Sequence, residues 1–151
     1  MNAVRLLFIV CLCGSAAVAQ VNCARPELAH QRRDVATIQR LEKEWTLAYL
    51  RGDTEFEKCL LTSDFMEIMK DGSINQLPDE LALAAKNKGK NASNPPMTPE
   101  SVHMHDTVAV AYGVLPGRSG ELKAHKMYFV DYYVWANRSW HVFFAQQTSY
   151  L

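Results

Sequence analysis

The chain has 151 residues, which is enough for one ordinary globular domain and too few for two. Apolar residues make up 48% of it and charged residues 21%, so a packed core is expected and intrinsic disorder is not. The 16 basic residues balance the 16 acidic ones, which excludes nucleic acid and anionic membrane surfaces as expected partners.

The N-terminal segment has the pattern of a secretion signal. Arg5 is followed by an apolar run at 6–13 and by small residues at 14–19 that end in an Ala-Val-Ala cleavage pattern. The apolar run is far shorter than the ~20 residues of a membrane-spanning helix; an uncleaved N-terminal anchor is the alternative. We predict a signal peptide at 1–19, a leader or linker at 20–33 and one domain at 34–151. Export to a bacterial periplasm or the extracellular space follows, with no membrane attachment after cleavage.

Two cysteines, Cys23 and Cys59, remain after this cleavage. An oxidising compartment permits a disulfide between them, although two unrelated thiols are the alternative, because a sequence contains no distance. Sequons at Asn91 and Asn137 would matter only in a eukaryotic secretory pathway. No phosphate-binding glycine loop or dinucleotide fingerprint is present, and no cofactor is predicted.

Two helices follow the leader. Asp34 is a favourable N-cap and Gly52 a favourable C-terminal residue for the first helix, in which apolar residues recur at three- and four-residue steps. Asp53 or Thr54 then caps a shorter helix that continues to about Leu61.

From Asp64 onwards the pattern becomes that of strands. Residues 65–69 alternate and end at a tight-turn dipeptide, Asp71-Gly72, which predicts a strand and the start of a hairpin. Pro78 begins a third helix over 79–88, and the loop 89–99 is rich in Gly, Asn, Ser and Pro. Four further strands are predicted at 101–106, 107–115, 121–136 and 139–149.

This order of elements places helices ahead of an antiparallel sheet and therefore predicts an α+β fold rather than βαβ winding. We expect a cone-shaped, curved antiparallel sheet packed against three N-terminal helices. A pocket should lie between the concave face of the sheet and the helices.

Several segments resemble the SnoaL-like or nuclear transport factor 2-like (ketosteroid-isomerase-like) superfamily. IQRLEKEWTLAYLRGD at 38–53 looks like its first helix, LTSDF at 61–65 like the entry into its first strand, and KDG at 70–72 like its first turn. FVDYYVW at 129–135, followed by Trp140-His141-Val142 and Gln146, resembles its closing hairpin. The resemblance covers about residues 34–149 and implies a cystatin-like or nuclear transport factor 2-like roll, in an exported member of unassigned function.

The resemblance to ketosteroid isomerase can be followed at three positions. Trp45 stands at the place of an oxyanion-hole tyrosine, Met69 at that of the general-base aspartate, and Asp131 at that of the second oxyanion-hole acid. A methionine cannot take a proton from carbon, and an indole N–H is a less acidic donor than a phenol. Ketosteroid isomerase activity is therefore not expected.

Asp131 is the main candidate for chemistry, because it interrupts an apolar run in a predicted central strand. On a concave face, desolvation would raise the pKa of its carboxyl and let it act as an acid or a base. The alternative is a structural acid that accepts hydrogen bonds from Trp45, a tyrosine or a backbone amide. The residues expected to line the pocket are Trp45, Tyr49, Phe65, Met69, His103, Tyr112, His125, Phe129, Tyr133 and Gln146.

His103 and His105 share one face of a predicted strand, as paired metal ligands do. A third ligand would have to come from His125, His141 or Asp131. The predicted strand order separates His103 from His125 by two strands, or roughly 10 Å. Ordinary hydrogen-bonding histidines are therefore the favoured interpretation, and no metal site is predicted.

Two functions remain open: an exported small-molecule-binding or interaction domain that holds a small apolar molecule, and a cofactor-free isomerase, cyclase or lyase that uses Asp131 as acid or base. The methionine at position 69 favours the first, although Glu67, His103 or His125 could supply a base. A homodimer is implied by the resemblance. Its contact surface would comprise Val130, Tyr132, Val134, Val142 and Phe144.

Overall fold

The computed structural model describes residue 23 and residues 25–90, 97–114 and 126–150, with only the backbone of Lys126 and Tyr150. The predicted signal peptide, the Asn91 sequon and His125 lie outside the described residues.

The elements follow the predicted order. After a short 3-10 helix at Pro26–Leu28 they are α1 (Val35–Arg51), α2 (Thr54–Leu60), β1 (Leu61–Ile68), β2 (Ile74–Gln76), α3 (Leu77–Ala85), β3 (Ser101–His105), β4 (Val108–Val114), β5 (Lys126–Ala136) and β6 (Ser139–Tyr150). The class is α+β, with three α-helices on a curved, unclosed six-stranded sheet.

The ends of α1 and α2 have the predicted chemistry. The Asp34 carboxylate accepts a hydrogen bond from the backbone N–H of Thr37 at 2.8 Å, and Asp53 accepts one from Phe56 at 3.1 Å. Gly52 ends α1 at φ 70°, and a Cβ there would lie 2.6 Å from the backbone nitrogen of Lys88. Both the left-handed backbone and this close approach require glycine.

The sheet has the order β2-β1-β6-β5-β4-β3. It is a mixed sheet, and the prediction of a wholly antiparallel sheet is wrong. β1 runs parallel to β6, while every other neighbouring pair is antiparallel. The reason is the crossover through α3, which takes the chain from one side of the sheet to β3 at the opposite edge. The direction in which β6 returns beside β1 is set by that crossover and by the three reversals from β3 to β6.

The inner face of the sheet combines small and large side chains. Ala109 and Ala111 on β4 are fully buried, and α1 packs over β3 and β4. Gly113 leaves room for a neighbouring ring, because a Cβ there would lie 3.0 Å from the ring of Phe129 on β5. These small residues let α1 approach the sheet closely while the larger residues of β5 and β6 fill the space beside it.

A β-bulge shifts the inward-facing positions of β6. Tyr132 pairs with Phe144, but Tyr133 pairs with Val142, so Phe143 is the extra residue. Val142 is fully buried on the inner face, and Gln146 is exposed. The predictions that Val142 lies on an outer contact surface and Gln146 in the pocket are therefore wrong.

The segment predicted as a leader packs against the domain. Leu28 belongs to the core, and Trp140 donates to the side-chain oxygen of Gln31 at 2.7 Å and to the backbone oxygen of Arg32 at 3.0 Å. A disulfide joins Cys23 to Cys59, whose Cα atoms are 5.5 Å apart. None of the described helices has both the length and the apolar character needed to cross a membrane.

Candidate functional site

A cavity of about 120 Å³ lies between the inner face of the sheet and the helices. Its lining comes from α1, from β1 and the turn after it, from α3, from the residues before β3, and from β5 and β6. The lining residues are Trp45, Thr46, Tyr49, Glu67, Met69, Glu80, Leu83, Met97, Phe129, Asp131 and Gln147.

Aromatic and thioether side chains form much of this lining. Trp45 and Phe129 are buried, whereas Tyr49, Met69 and Met97 are half-buried and mark the side nearest solvent. Hydrogen bonds hold this side in place, since the hydroxyl of Thr46 on α1 accepts the backbone N–H of Met97 at 3.3 Å and the amide of Asn87 donates to the backbone oxygen of Tyr49 at 3.1 Å.

Asp131, which lines the cavity, belongs to a pair of buried carboxyl groups. Asp131 on β5 is 3% exposed and lies against Glu42 on α1, which is 0% exposed. The hydroxyl of Tyr133 donates a hydrogen bond to Glu42 Oε1 at 2.7 Å. Burial, followed by the charge of Glu42, raises the pKa of Asp131 well above its usual range, and burial raises the pKa of Glu42 to about 7. The pair therefore shares at least one proton at neutral pH.

A second carboxyl pair joins β1 to α3. Burial and the charge of Glu67 raise the pKa of Glu80 to about 8. Burial also raises the pKa of Glu67, against the lowering effect of the Gln147 amide, which donates to Glu67 Oε1 at 2.7 Å. Both carboxyl groups line the cavity, so they can meet a bound molecule directly.

A fifth acid, Glu57 on α2, is fully buried beside this second pair. Burial and then the charge of Glu80 raise its pKa to about 9, and neither of its carboxyl oxygens has a hydrogen-bond partner among the described residues. It does not line the cavity. Its role in the electrostatics of the site is to add negative potential whenever it ionises.

The carboxyl cluster, defined as Glu42, Glu57, Glu67, Glu80 and Asp131, has no ion-pair partner within the described part of the chain. In the same residues, no group of three or more His, Cys, Asp or Glu side chains is arranged to hold a metal ion. When protonated, these groups can donate hydrogen bonds to a bound molecule, and when ionised they can accept them.

The structure brings five of the predicted site residues together in the lining. They are Trp45, Tyr49, Met69, Phe129 and Asp131. Phe65 and Tyr133 are buried just outside the lining. Phe65 packs edge-on against Trp45 with ring centroids 6.2 Å apart, and Tyr133 holds Glu42.

Three other predicted residues lie elsewhere. His103 and Tyr112 stack on each other at 6.0 Å on the outer, exposed face of the sheet, because Val102 and Ala111 occupy the inward-facing positions beside them. Gln146 points outward because of the bulge. The structure therefore contradicts these three placements, and His125 lies outside the described residues.

Sequence reasoning missed four of the polar residues and their pairing. Glu42 falls among the core residues of α1, three residues before Trp45, and Glu80 lies four residues before the buried Ala84. Glu57 follows the buried Phe56, and Gln147 becomes inward-facing only because of the bulge. An acid within an apolar helical stripe was the available signal for Glu42.

No known family profile matches the chain, and no curated protein matches it. Solved structures do. An NTF2-like protein of unknown function from Silicibacter pomeroyi DSS-3 has a TM-score of 0.63 at 13% identity, covering 77% of this chain and 95% of its own.

Two other structures match over similar lengths. A candidate Ca/calmodulin-dependent kinase II association domain from Exiguobacterium sibiricum 255-15 has a TM-score of 0.59 at 23% identity, covering 80% of this chain and 98% of its own. An NTF2-like protein from Rhodospirillum rubrum ATCC 11170, of unknown function in nutrient uptake, has a TM-score of 0.57 at 18% identity, covering 78% and 99%. This chain has the fold of the NTF2-like proteins.

Proposed function

We propose that this protein is an exported domain that binds a small molecule in the cavity between its sheet and its helices. The observation that carries the proposal is the cavity itself, with aromatic and aliphatic walls and a few convergent polar groups. Ligand sites in proteins commonly combine these two features.

The volume restricts the size of the molecule. A cavity of 150 Å³ holds one benzene molecule. The cavity here, at about 120 Å³, therefore suits a compact ligand of a few heavy atoms.

Export is part of the proposal, and two observations support it. The N-terminal pattern is that of a cleaved signal, and the Cys23–Cys59 disulfide suits an oxidising compartment. The Rhodospirillum rubrum protein, of unknown function in nutrient uptake, has the same fold.

The test is an NMR titration with 1-butanol and benzene at about pH 5.5, below the raised pKa values of Glu42, Glu57 and Glu80. We expect concentration-dependent shifts for Trp45, Phe129 and Met97. Met69→Trp should remove them by filling the cavity. Met66→Trp, the same change at a half-buried residue outside the lining, is the matched control. The proposal would be refuted if the wild type showed no shifts, or if Met69→Trp and Met66→Trp reduced them equally.

A second candidate function is cofactor-free acid–base catalysis, of the isomerase, cyclase or lyase type. The observation that favours it is a buried Asp131 whose pKa is raised well above its usual range, in a cavity that Glu67 and Glu80 also line. Carboxyl groups at different positions in one cavity could divide the roles of proton donor and proton acceptor.

Exchange of the α-protons of 2-butanone in deuterated water tests this candidate. If it is correct, the protein accelerates deuterium uptake, Asp131→Asn abolishes the acceleration without unfolding the protein, and Asp64→Asn at an exposed position does not. A rate no faster than that of buffer would leave only the binding function.

A further inference from the structure

We propose that the ligand of this cavity is a small organic cation, an alkylammonium ion, which the carboxylates of Asp131 and Glu80 hold between the walls formed by Trp45 and Phe129. This inference rests on the binding function proposed above. It names the chemical class of the ligand.

The carboxyl groups at the cavity come from separate parts of the chain. α1, α2, β1, α3 and β5 each contribute one buried acid to the carboxyl cluster. All five are at most 6% exposed. Gathering buried acids in this way is costly, since each loses its hydration and repels the others when ionised. A site that binds a cation recovers this cost when the ligand is present.

The N–H and hydroxyl donors in the described part of the protein leave Asp131 and Glu80, the two acids proposed to hold the cation, without a partner. Tyr133 donates to Glu42 and Gln147 to Glu67. Among the described residues, neither an N–H group nor a hydroxyl donates to Asp131 or Glu80, although both line the cavity and are more than nine-tenths buried. The side-chain partner of Asp131 is the carboxyl of Glu42, and that of Glu80 is the carboxyl of Glu67, which leaves acceptor capacity directed into the cavity.

The walls indicate an organic cation rather than a metal ion. Within the described ranges no group of three or more His, Cys, Asp or Glu side chains is arranged to hold a metal ion. Trp45 and Phe129 instead present aromatic rings, to which ammonium groups are attracted, and Leu83, Met69 and Met97 offer contacts for an alkyl chain. An ammonium group with a short alkyl tail matches both parts of this lining and its volume of about 120 Å³.

Proton release should accompany binding. The titratable groups that face Asp131 and Glu80 are Glu42 and Tyr49 from α1, Glu57 from α2, Glu67 from β1 and Tyr133 from β5. A bound ammonium ion favours the ionised form of the carboxyl groups in the carboxyl cluster. Its binding therefore displaces protons that these groups retain at neutral pH when the site is empty. An alkylammonium ion itself stays charged to about pH 10.

The experiment is isothermal titration calorimetry of the disulfide-bonded protein with n-butylammonium chloride and with 1-butanol, which has the same number of heavy atoms and no charge. We expect the affinity for n-butylammonium to rise between about pH 6 and about pH 8, approaching tenfold per pH unit where one proton is released. The affinity for 1-butanol should stay constant or fall. Repeating the titration in buffers of different ionisation enthalpy counts the protons released.

Three variants locate the effect. Asp131→Asn and Glu80→Gln should each weaken n-butylammonium binding at least tenfold at about pH 8 and leave 1-butanol binding within about threefold. Asp64→Asn, at an exposed position on β1, should change neither. If Asp131→Asn does not fold, Glu80→Gln carries the test, because it belongs to the other carboxyl pair.

The outcomes separate this inference from the function on which it rests. If 1-butanol binds and n-butylammonium binds no more tightly at any pH, the cation is the wrong ligand class while the cavity remains a binding site. If neither probe binds, the binding function fails with it. If Glu80→Gln and Asp131→Asn both bind n-butylammonium as tightly as the wild type does, the contact of the ammonium group lies elsewhere and the inference is wrong.

Discussion

The carboxyl groups of Glu42 on α1 and Asp131 on β5 face each other inside the protein, and the hydroxyl of Tyr133 donates to Glu42 at 2.7 Å. This contact joins the first helix to a central strand of the sheet. Two ionised carboxylates buried next to each other would repel strongly, so the contact requires that they share a proton. The stability of the fold and the charge of the cavity therefore depend on the same proton.

We expect the free energy of unfolding to fall as the pH rises from about 4.5 to about 9. The folded-state pKa is raised to about 7 for Glu42, about 8 for Glu80 and about 9 for Glu57, above their ordinary value of 4.5. The folded protein therefore holds protons that the unfolded chain releases, and stability is lost through this window. Each of these groups, when it titrates independently, loses on the order of 3 kcal/mol of stabilisation between pH 5 and pH 8, so urea unfolding at several pH values should show a decrease of at least that size.

His141 acts in the opposite direction over part of this range. Burial lowers its pKa below 6.5, so its contribution to stability increases as the pH rises through that value. The substitutions Glu42→Gln and Glu80→Gln should flatten the dependence of the free energy of unfolding on pH. A profile that rises steadily from pH 5 to pH 9 would show that the carboxyl groups are not buried together.

Glu57→Gln should stabilise the protein. Neither carboxyl oxygen of Glu57 has a hydrogen-bond partner among the described residues, and folding requires this carboxyl to take up a proton at neutral pH. An amide of the same shape removes that requirement, with an expected gain of about 2 kcal/mol at pH 8 by urea unfolding. Asp64→Asn, which removes an exposed charge, should change stability by less than about 0.5 kcal/mol. Destabilisation by Glu57→Gln would indicate that the carboxylate is ionised and has a partner.

Loss of the Cys23–Cys59 disulfide should destabilise the domain. The bridge closes a loop with a sequence separation of 36 and anchors the segment that carries Leu28 into the core. A loop of this length corresponds to about 3–4 kcal/mol of chain entropy in the unfolded state. The double variant Cys23→Ser/Cys59→Ser, compared by urea unfolding with the oxidised protein, measures the effect. The variant should be insensitive to added reductant, whereas the wild type should not.

The outer face of the sheet is the expected surface for a homodimer. Val130, Tyr132, Val134 and Phe144 are half-buried there, and Tyr132 contacts the rings of Phe143 and Phe144. An apolar patch of this kind is typical of a symmetric interface.

Sedimentation velocity at micromolar concentration tests the dimer. The wild type should sediment as a dimer and Tyr132→Glu as a monomer. Ala82→Glu, which places the same charge on an exposed position of α3, is the control and should leave the dimer intact. A wild-type protein that sediments only as a monomer contradicts the expectation.

Much of the fold could be predicted because its signals are local. Asp34 and Gly52 mark the two ends of α1 through a cap and a left-handed residue, and both function as expected. The alternation on β3 correctly placed His103 and His105 on one face of the strand. Whether that face points toward the helices is not a local property, and for His103 the assignment to the pocket was wrong.

The site was only partly predictable, for a different reason. Asp131 stood out because an acid within an aromatic strand is unusual, whereas Glu42 and Glu80 resemble ordinary helical glutamates when their helices are considered singly. Gln147 replaced Gln146 in the lining because one extra residue, Phe143, reverses the inward and outward positions beyond it. A bulge of this kind is a property of two paired strands, so one strand's pattern does not reveal it.

By itself the sequence determined where α1 begins and ends, the order of the helices and strands along the chain and the presence of one acid in a central strand, because caps, turns and alternation act over a few residues. Only the tertiary structure decided that β1 runs parallel to β6 and that five acids from five elements meet beside one cavity. The physical reason is that a carboxyl's protonation state depends on which distant groups share its low-dielectric surroundings, and those neighbours exist only after the chain has folded.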